Sequence, residues 1–289
     1  MSTNTSCRCG GSAETAERGK WTHGATDRIN RLRDRYWLYP PTIDTERAVS
    51  YTKTYKATEA EDTVLRRAKG LYNYFAERTI TINPDELIVG TYGRVPRSVL
   101  VCPEVCWLWY RDELDTMATR PQDPYQISEE DKEILRSLFP YWEGKSMEEY
   151  FLANIPEDLV EIAIESGVVF GDNKSAAGAG EFAPGYGNLI LKKGFKGIRK
   201  DAETHLHALD PFDIHLHEKR RFYEAAILCC DAVKLLADRH GEKARALATE
   251  ETDPKRKEEL LEIAAICNKA VSYTHLDVYK RQTRGRRCT

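Results

Sequence analysis

Apolar residues recur at helical spacing along most of the chain. Ile29, Leu32 and Trp37 repeat with a period close to 3.6 residues, and Pro40-Pro41 ends the pattern, so a helix is predicted from Asp27. The same pattern, bounded by capping residues or proline, predicts eight further helices. They are expected over residues 45–58, 62–78, from Pro103, from Ser128 up to Pro140, 156–166, 195–209, 218–251 and from Pro254. The chain is therefore predicted to be mainly α.

Three features refine this pattern. The longest helix, 218–251, should bury an apolar stripe that runs from Phe222 to Ala237. Residues 86–90 form a short apolar run that ends in glycine, which is typical of a buried strand. Residues 167–187 hold six glycines and show no periodicity, so they are predicted to form a long loop. A loop of this length is usually functional or a linker. Its glycines would allow the backbone to approach a ligand closely. It lacks the Lys-Ser/Thr pair of a P-loop, so it is not predicted to bind phosphate in that way.

The composition is that of a globular protein. Of the 289 residues, 41% are hydrophobic and 31% are charged, and the formal net charge is −3. This net charge gives no indication of the positively charged surface that binds nucleic acid. No apolar run is long enough to cross a membrane. Residues 1–26 are polar, lack the apolar segment of a secretory signal and are predicted to be flexible. We therefore expect a cytoplasmic protein that binds neither nucleic acid nor membrane.

Two clusters of side chains invite a chemical role. Four histidines suggest a metal site: His205, His207, His215 and His217. The first pair lies on different faces of one predicted helix, and Asp210-Pro211 places a turn between the pairs, so a solvated connection is favoured over a metal site. Five aromatic residues could stack on bases: Trp107, Trp109, Tyr110, Tyr141 and Trp142. Because basic residues do not cluster around them, these aromatic residues are predicted to belong to the core.

The eight cysteines offer no recognisable set of zinc ligands. Cys102 and Cys106 are separated by three residues, which is not the spacing of a zinc knuckle. No second pair of ligands follows them at a spacing that is usual for zinc sites. Cys229 and Cys230 lie in an apolar helical run, where free cysteine is usually a small buried hydrophobe. Reduced, structural cysteines and no bound metal are expected.

The end of the chain has an unusual back-translation. Residues 270–282 can be encoded by CTGTCTCTTATACACATCT followed directly by its own reverse complement. This inverted pair resembles the transposase mosaic end that is used to prepare sequencing libraries. We therefore expect residues 270–289 to be an adapter-derived, non-native tail and exclude them from the fold. The native sequence would then run to Lys269 and belong to the front of a longer protein.

A set of short motifs resembles the front of pyruvate formate-lyase-like glycyl radical enzymes. They occur in family order and cover residues 27–269, and the nearest branch holds choline trimethylamine-lyase and the B12-independent glycerol and propanediol dehydratases. The motifs are Glu86-Leu87-Ile88-Val89-Gly90, Pro103-Glu104, Asp112-Glu113-Leu114-Asp115, residues 120–132, Pro140-Tyr141-Trp142-Glu143-Gly144-Lys145, Pro184-Gly185-Tyr186, Lys192-Lys193-Gly194-Phe195 and Glu251-Thr252-Asp253-Pro254.

This resemblance implies a larger, anaerobic parent enzyme with a ten-stranded α/β barrel wrapped by helices. The present chain would supply the N-terminal helical part of that fold. In the family, a radical on a backbone glycine passes to a cysteine, whose thiyl radical abstracts hydrogen from a small-molecule substrate, and a neighbouring C–N or C–O bond then breaks. The implied partner is a radical S-adenosylmethionine activating enzyme that installs the glycyl radical. The full-length parent is expected to be a homodimer.

The motifs that carry this chemistry are absent from the chain. Neither G-C-x-E, around the family's cysteine, nor R-V-x-G, around its glycine, occurs in the 289 residues. The fragment is therefore expected to hold no cofactor and no catalytic residue and to be inactive by itself. Without the barrel, the apolar face over residues 263–266 should be exposed. The alternative interpretation is a stand-alone helical binding or scaffold protein related to the front of the enzyme.

The resemblance also implies two residues of the substrate pocket. Glu181 follows a G-x-G sequence at the position where choline lyases carry an aspartate and the diol dehydratases a histidine. A carboxylate there suits a cationic or polyhydroxy substrate. Asn173 stands where choline lyases have a pocket tyrosine, and this departure counts against choline itself. The alternative is that Glu181 is a solvated loop acid.

Overall fold

The computed structural model describes residues 26–159, 161 and 189–270. Within these ranges the chain is mainly α, as predicted, and none of the helices is long and apolar enough to span a bilayer. Two short strands, β1 Thr42–Asp44 and β2 Ser98–Leu100, and a 3₁₀ turn at Met117–Thr119 complete the described structure. The helices are α1 Asp27–Leu38, α2 Glu46–Ala57, α3 Thr63–Glu77, α4 Leu108–Glu113, α5 Glu129–Trp142, α6 Met147–Ala153, α7 Glu157–Leu159, α8 Leu191–His207, α9 Leu216–Glu250 and α10 Pro254–Ala270.

Side-chain caps fix where several helices begin. The Asp62 carboxylate accepts a hydrogen bond from the Val64 N–H at 2.9 Å, and the Ser128 hydroxyl accepts one from the Asp131 N–H at 3.0 Å. Each cap satisfies a backbone donor that has no partner inside its helix. The predicted cap at Ser128 is thus confirmed, as are the predicted limits of α2, α3 and α9 to within two residues.

Aromatic side chains form the core of the amino-terminal half. Trp107, Tyr110 and Trp142 are buried, and Trp109 and Tyr141 pack against them as half-buried neighbours. The predicted place of these five residues in the core is therefore confirmed. Rings at such distances add specific edge and face contacts to the burial of apolar area.

Trp142 ties α5 to α2. Its side chain is fully buried, and the indole Nε1 donates a 2.8 Å hydrogen bond to Oγ1 of Thr52. The ring centroid of Tyr55 lies 5.2 Å away. Removing a side chain of this size from water contributes about 4–6 kcal/mol of hydrophobic free energy. The hydrogen bond satisfies an indole donor that would otherwise be buried without a partner.

The two strands form a small parallel sheet between the helices. Thr42 pairs with Ser98, Ile43 with Val99, and Asp44 with Leu100. Asp44 is only 2% exposed, and its carboxylate accepts hydrogen bonds from the N–H groups of Arg94 at 2.7 Å and Glu46 at 3.0 Å. This carboxylate therefore fastens the loop before β2 to the beginning of α2.

The long helix α9 packs against α3, α8 and α10. Where it crosses α10, a Cβ on Gly241 would lie 2.9 Å from Oδ1 of Asn268, so glycine permits the close approach. The predicted stripe is wrong at Phe222, which is 60% exposed. The buried face of α9 instead consists mainly of small residues, which allow the neighbouring helices to approach. Its buried residues are Ala225, Cys230, Ala232, His240, Gly241, Ala244 and Ala248.

The expectation for the last helix is also wrong in part. Ile263 and Ala264 are buried, because α9 and Ile82 cover this face of α10. Leu261 and Ile266, on other faces of the helix, are 50% and 43% exposed. The helix therefore buries one apolar face within the chain and presents further apolar groups to solvent.

One predicted strand and two predicted helix limits are wrong. Residues 86–90 form an irregular segment with a bend at residues 87–88, not a strand, and Ile88 is 87% exposed, because no described strand lies beside this run to pair with it. Pro103 begins a turn, and the helix starts only at Leu108. α5 continues through Pro140, since burial of Trp142 outweighs the loss of one helical hydrogen bond near the end. Of the helix predicted over 156–166, residues 157–159 are helical and residue 156 is not; residues 160 and 162–166 lie outside the described residues.

The link between Trp142 and Thr52 is open to a direct test. We expect Thr52→Val to lower the free energy of unfolding by about 1–3 kcal/mol, because it leaves the buried indole N–H without an acceptor. Thr52→Ser keeps the hydroxyl and should cost less. Urea denaturation followed by tryptophan fluorescence measures both variants. Equal losses for valine and serine would contradict a role for the hydrogen bond.

Candidate functional site

The predicted pocket residues, Asn173 and Glu181, lie outside the described residues, as does the whole glycine-rich segment 167–187. Their proximity to each other and to a substrate therefore stays a prediction. The structure does describe the elements that precede and follow this segment, which are α7 and α8.

Gly194 sets the direction in which the chain enters α8. It is buried, and its backbone angles, φ 63° and ψ 170°, interrupt the helix between Lys193 and Phe195. This combination is open almost only to glycine, since a Cβ would clash with the adjacent backbone. The predicted helix from residue 195 is confirmed, and the glycine explains why the regular helix begins there. Lys193 and Asp201 form an ion pair across the break.

The four histidines form the solvated connection that was predicted. All four are exposed. The His205 ring stacks on Tyr223 of α9 with the ring centroids 5.5 Å apart, and Nδ1 of His207 lies 2.7 Å from the carbonyl oxygen of Glu203 within α8. Within the described ranges, no three histidine, cysteine or acidic side chains converge as metal ligands would. The arrangement gives these histidines a place in surface packing.

None of the described cysteines is part of a disulfide. Burial raises the pKa of Cys102 to about 11 and that of Cys230 to about 11, and it also raises the pKa values of Cys229 and Cys267. At neutral pH these groups are protonated, and a thiol without thiolate character is a poor nucleophile and metal ligand. This agrees with the structural role that was predicted for the pair at 229–230.

Motifs that carry the family resemblance have structural roles in the described part. Arg47 makes two hydrogen bonds to the carboxylate of Glu104, and its guanidinium lies 3.9 Å from the ring centroid of Tyr51. Burial alone would lower the pKa of Arg47, but the hydrogen bonds and charge of Glu104 raise it. The pair therefore stays ionised and joins the Pro103-Glu104 turn to α2.

The acidic motif at the start of α5 is tied down in the same way. Asp131 accepts a 2.6 Å hydrogen bond from Oγ1 of Thr45 and a 2.7 Å bond from the Ser128 hydroxyl, and it forms an ion pair with Arg94 at 3.2 Å. Burial would raise the pKa of Asp131, but these donors lower it. The carboxylate is held as an anion at the junction of α2 and α5, where it orders the fold.

Comparison with known proteins gives a consistent match. The family model described as pyruvate formate lyase-like matches residues 21–273. Isethionate sulfite-lyase from Desulfovibrio desulfuricans is 34% identical over 245 residues, which are 82% of this chain and 29% of the relative.

Solved structures agree with this match. The glycerol-bound B12-independent glycerol dehydratase from Clostridium butyricum superposes with a TM-score of 0.79 at 35% identity, over 88% of this chain and 32% of the other. A glycyl radical enzyme from Archaeoglobus fulgidus gives 0.74 at 31% identity, over 85% and 31%. The chain therefore spans about a third of the length of the proteins that it matches.

The break at Gly194 is expected to be sensitive to substitution. Gly194→Ala should lower the free energy of unfolding by about 1–3 kcal/mol, because alanine rarely adopts this backbone conformation. Lys196→Ala, at an exposed position of the same helix, should change it by less than about 0.5 kcal/mol. Chemical denaturation compares the two, and an equal effect would show that the break is not strained for alanine.

Proposed function

The chain belongs to the pyruvate formate lyase-like family, and we propose that it forms the amino-terminal helical part of a glycyl radical lyase or dehydratase. The observation that carries this proposal is the match in fold and sequence to a glycerol dehydratase and to a glycyl radical enzyme. The proposed reaction of the complete protein breaks a C–N or C–O bond of a small cationic or polyhydroxy substrate.

Two observations support assigning the radical chemistry to sequence beyond this chain. The chain covers 29–32% of the length of its relatives, and its 289 residues lack both G-C-x-E and R-V-x-G. The complete protein would receive its glycyl radical from a radical S-adenosylmethionine activating enzyme and would act as a cytoplasmic homodimer. By itself, the present chain is proposed to be inactive.

The proposed contribution of this chain to catalysis is one wall of the substrate pocket. Glu181 would accept charge-assisted hydrogen bonds from an ammonium or hydroxyl group of the substrate and so fix its orientation. Asn173 would offer an amide donor and acceptor on the same wall. These groups bind and orient the substrate, and the radical group supplies the hydrogen abstraction.

The radical itself provides the first test. The full-length protein, recovered from the source DNA and treated anaerobically with the activating enzyme and S-adenosylmethionine, should give a glycyl radical signal in electron paramagnetic resonance. The 289-residue chain, treated in parallel, should give none. A full-length product that takes up no radical would favour the alternative of a helical binding or scaffold protein.

A substitution at Glu181 tests the pocket. In the full-length protein, Glu181→Gln should lower kcat/KM by about tenfold or more, because it removes a charged hydrogen-bond acceptor from the substrate. Glu262→Gln changes an exposed carboxylate on α10 in the same way and should leave kcat/KM unchanged. Full activity of the Glu181 variant would identify this residue as a solvated loop acid.

A further inference from the structure

The amphipathic helix α1 turns its charged face toward the rest of the chain. Arg28, Arg31 and Arg35 share this face, because they stand at positions i, i+3 and i+7. Arg28 forms an ion pair with a glutamate of α10, and Arg31 pairs with Asp85 at 2.6 Å. Arg35 donates a hydrogen bond to the carbonyl oxygen of Pro84. Charged contacts therefore attach α1 to the chain, and none of the residues of α1 is buried.

The outward face of α1 is largely apolar. Ile29, Tyr36 and Trp37 lie on it, at positions i, i+7 and i+8, and about half of each residue is exposed. Leu38, at the end of the helix, is 79% exposed. A surface helix normally has the opposite orientation, with its apolar stripe toward the core and its charged groups in water. We therefore expect another surface to cover the outward face of α1 in the assembled protein.

Arg97 fixes the aromatic end of this face. Its guanidinium lies 5.0 Å from the ring centroid of Trp37 and 5.4 Å from that of Tyr36. The Nη1 group of Arg97 also donates a 3.2 Å hydrogen bond to the carbonyl oxygen of Tyr39. The two rings meet edge to face with their centroids 5.4 Å apart. Tryptophan, tyrosine and arginine often dominate the binding energy of interfaces, and rings that are already held in place lose little entropy on binding.

The segment after the turn at residues 84–85 adds apolar surface beside α1. Asp85 contacts both Arg31 and Arg35, so Leu87, two residues further on, lies within about 7 Å of the Asp85 backbone. Leu87 and Ile88 are both exposed. Together with the exposed side chains of α1 they present surface on the order of 700 Å², close to the roughly 800 Å² that one partner contributes to a standard interface.

One base and one acid stand in the middle of α1. Arg33 lies between Ile29 and Trp37 on the outward face, and Asp34, beside it, pairs with its guanidinium at 3.0 Å. If a second copy approaches in the antiparallel direction, each Arg33 meets the partner's Asp34. The same two-fold axis brings Ile29 of each helix to the aromatic end of the other. The outward face is thus complementary to itself in charge and in apolar surface, as an isologous interface requires.

We propose that the outward face of α1 packs against the same face of a second copy of this chain and forms a two-fold dimer. Any other partner would have to supply both a base and an acid at matching positions, whereas a second copy supplies them by symmetry. The proposal rests on the proposed function for the homodimer alone, and it names the surface of that dimer. Because this surface lies within the 289 residues, dimer formation and uptake of the glycyl radical can fail independently.

Analytical ultracentrifugation of the 289-residue chain tests the surface. The chain should form a dimer, and Trp37→Glu should raise the dimer dissociation constant at least about tenfold, because it places a charge in the apolar contact. Phe212→Glu is the matched control, since Phe212 is also an exposed aromatic residue but lies in the connection between α8 and α9; its dissociation constant should match that of the unmodified chain. A chain that stays monomeric at ~100 µM, or equal effects of the two variants, would overturn the proposal.

Charge reversal tests the antiparallel arrangement without touching the apolar residues. Arg33→Asp and Asp34→Arg each place like charges opposite one another across the axis, so each variant alone should dimerise about fivefold more weakly or worse. Mixed in equal amounts, the two variants should form a heterodimer at least as stable as the unmodified dimer, because every introduced charge then meets its opposite. Native mass spectrometry distinguishes the species by mass. A mixture that stays monomeric, or that forms the two homodimers and the heterodimer in statistical proportion, would overturn the proposed dimer.

Discussion

The packing of Trp142 against α2 is the contact on which the amino-terminal half depends. Its indole ring fills the aromatic core, and its N–H reaches Thr52, so α5 cannot leave α2 without exposing both. The same contact brings the beginnings of the two helices together. The junction at Asp131 lies where these ends meet. Core packing therefore positions the polar features of this half of the chain.

The helical content could be predicted because each long helix has a periodic apolar face and a capping residue, as at Ser128. The errors arose where local pattern and tertiary packing disagree. The run 86–90 has the composition of a strand but no neighbour with which to pair. Pro140 reads as a helix end, yet Trp142 holds the last turn in place. Phe222 fits the predicted stripe of α9, but the close approach of the neighbouring helices favours a buried face made mainly of small residues.

The candidate site could be reached from the sequence only through the family resemblance. Glu181 and Asn173 come from that resemblance, because a glycine-rich loop without periodicity gives no other signal.

The central claim is that this chain is the front of a glycyl radical enzyme. A long sequencing read across the source DNA that encodes Cys267 to Val271 tests it most directly. The account predicts an open reading frame that continues past Lys269 without the inverted repeat and later encodes G-C-x-E and R-V-x-G. A stop codon soon after Lys269, or the inverted repeat within the genome, would contradict it and favour a separate helical protein.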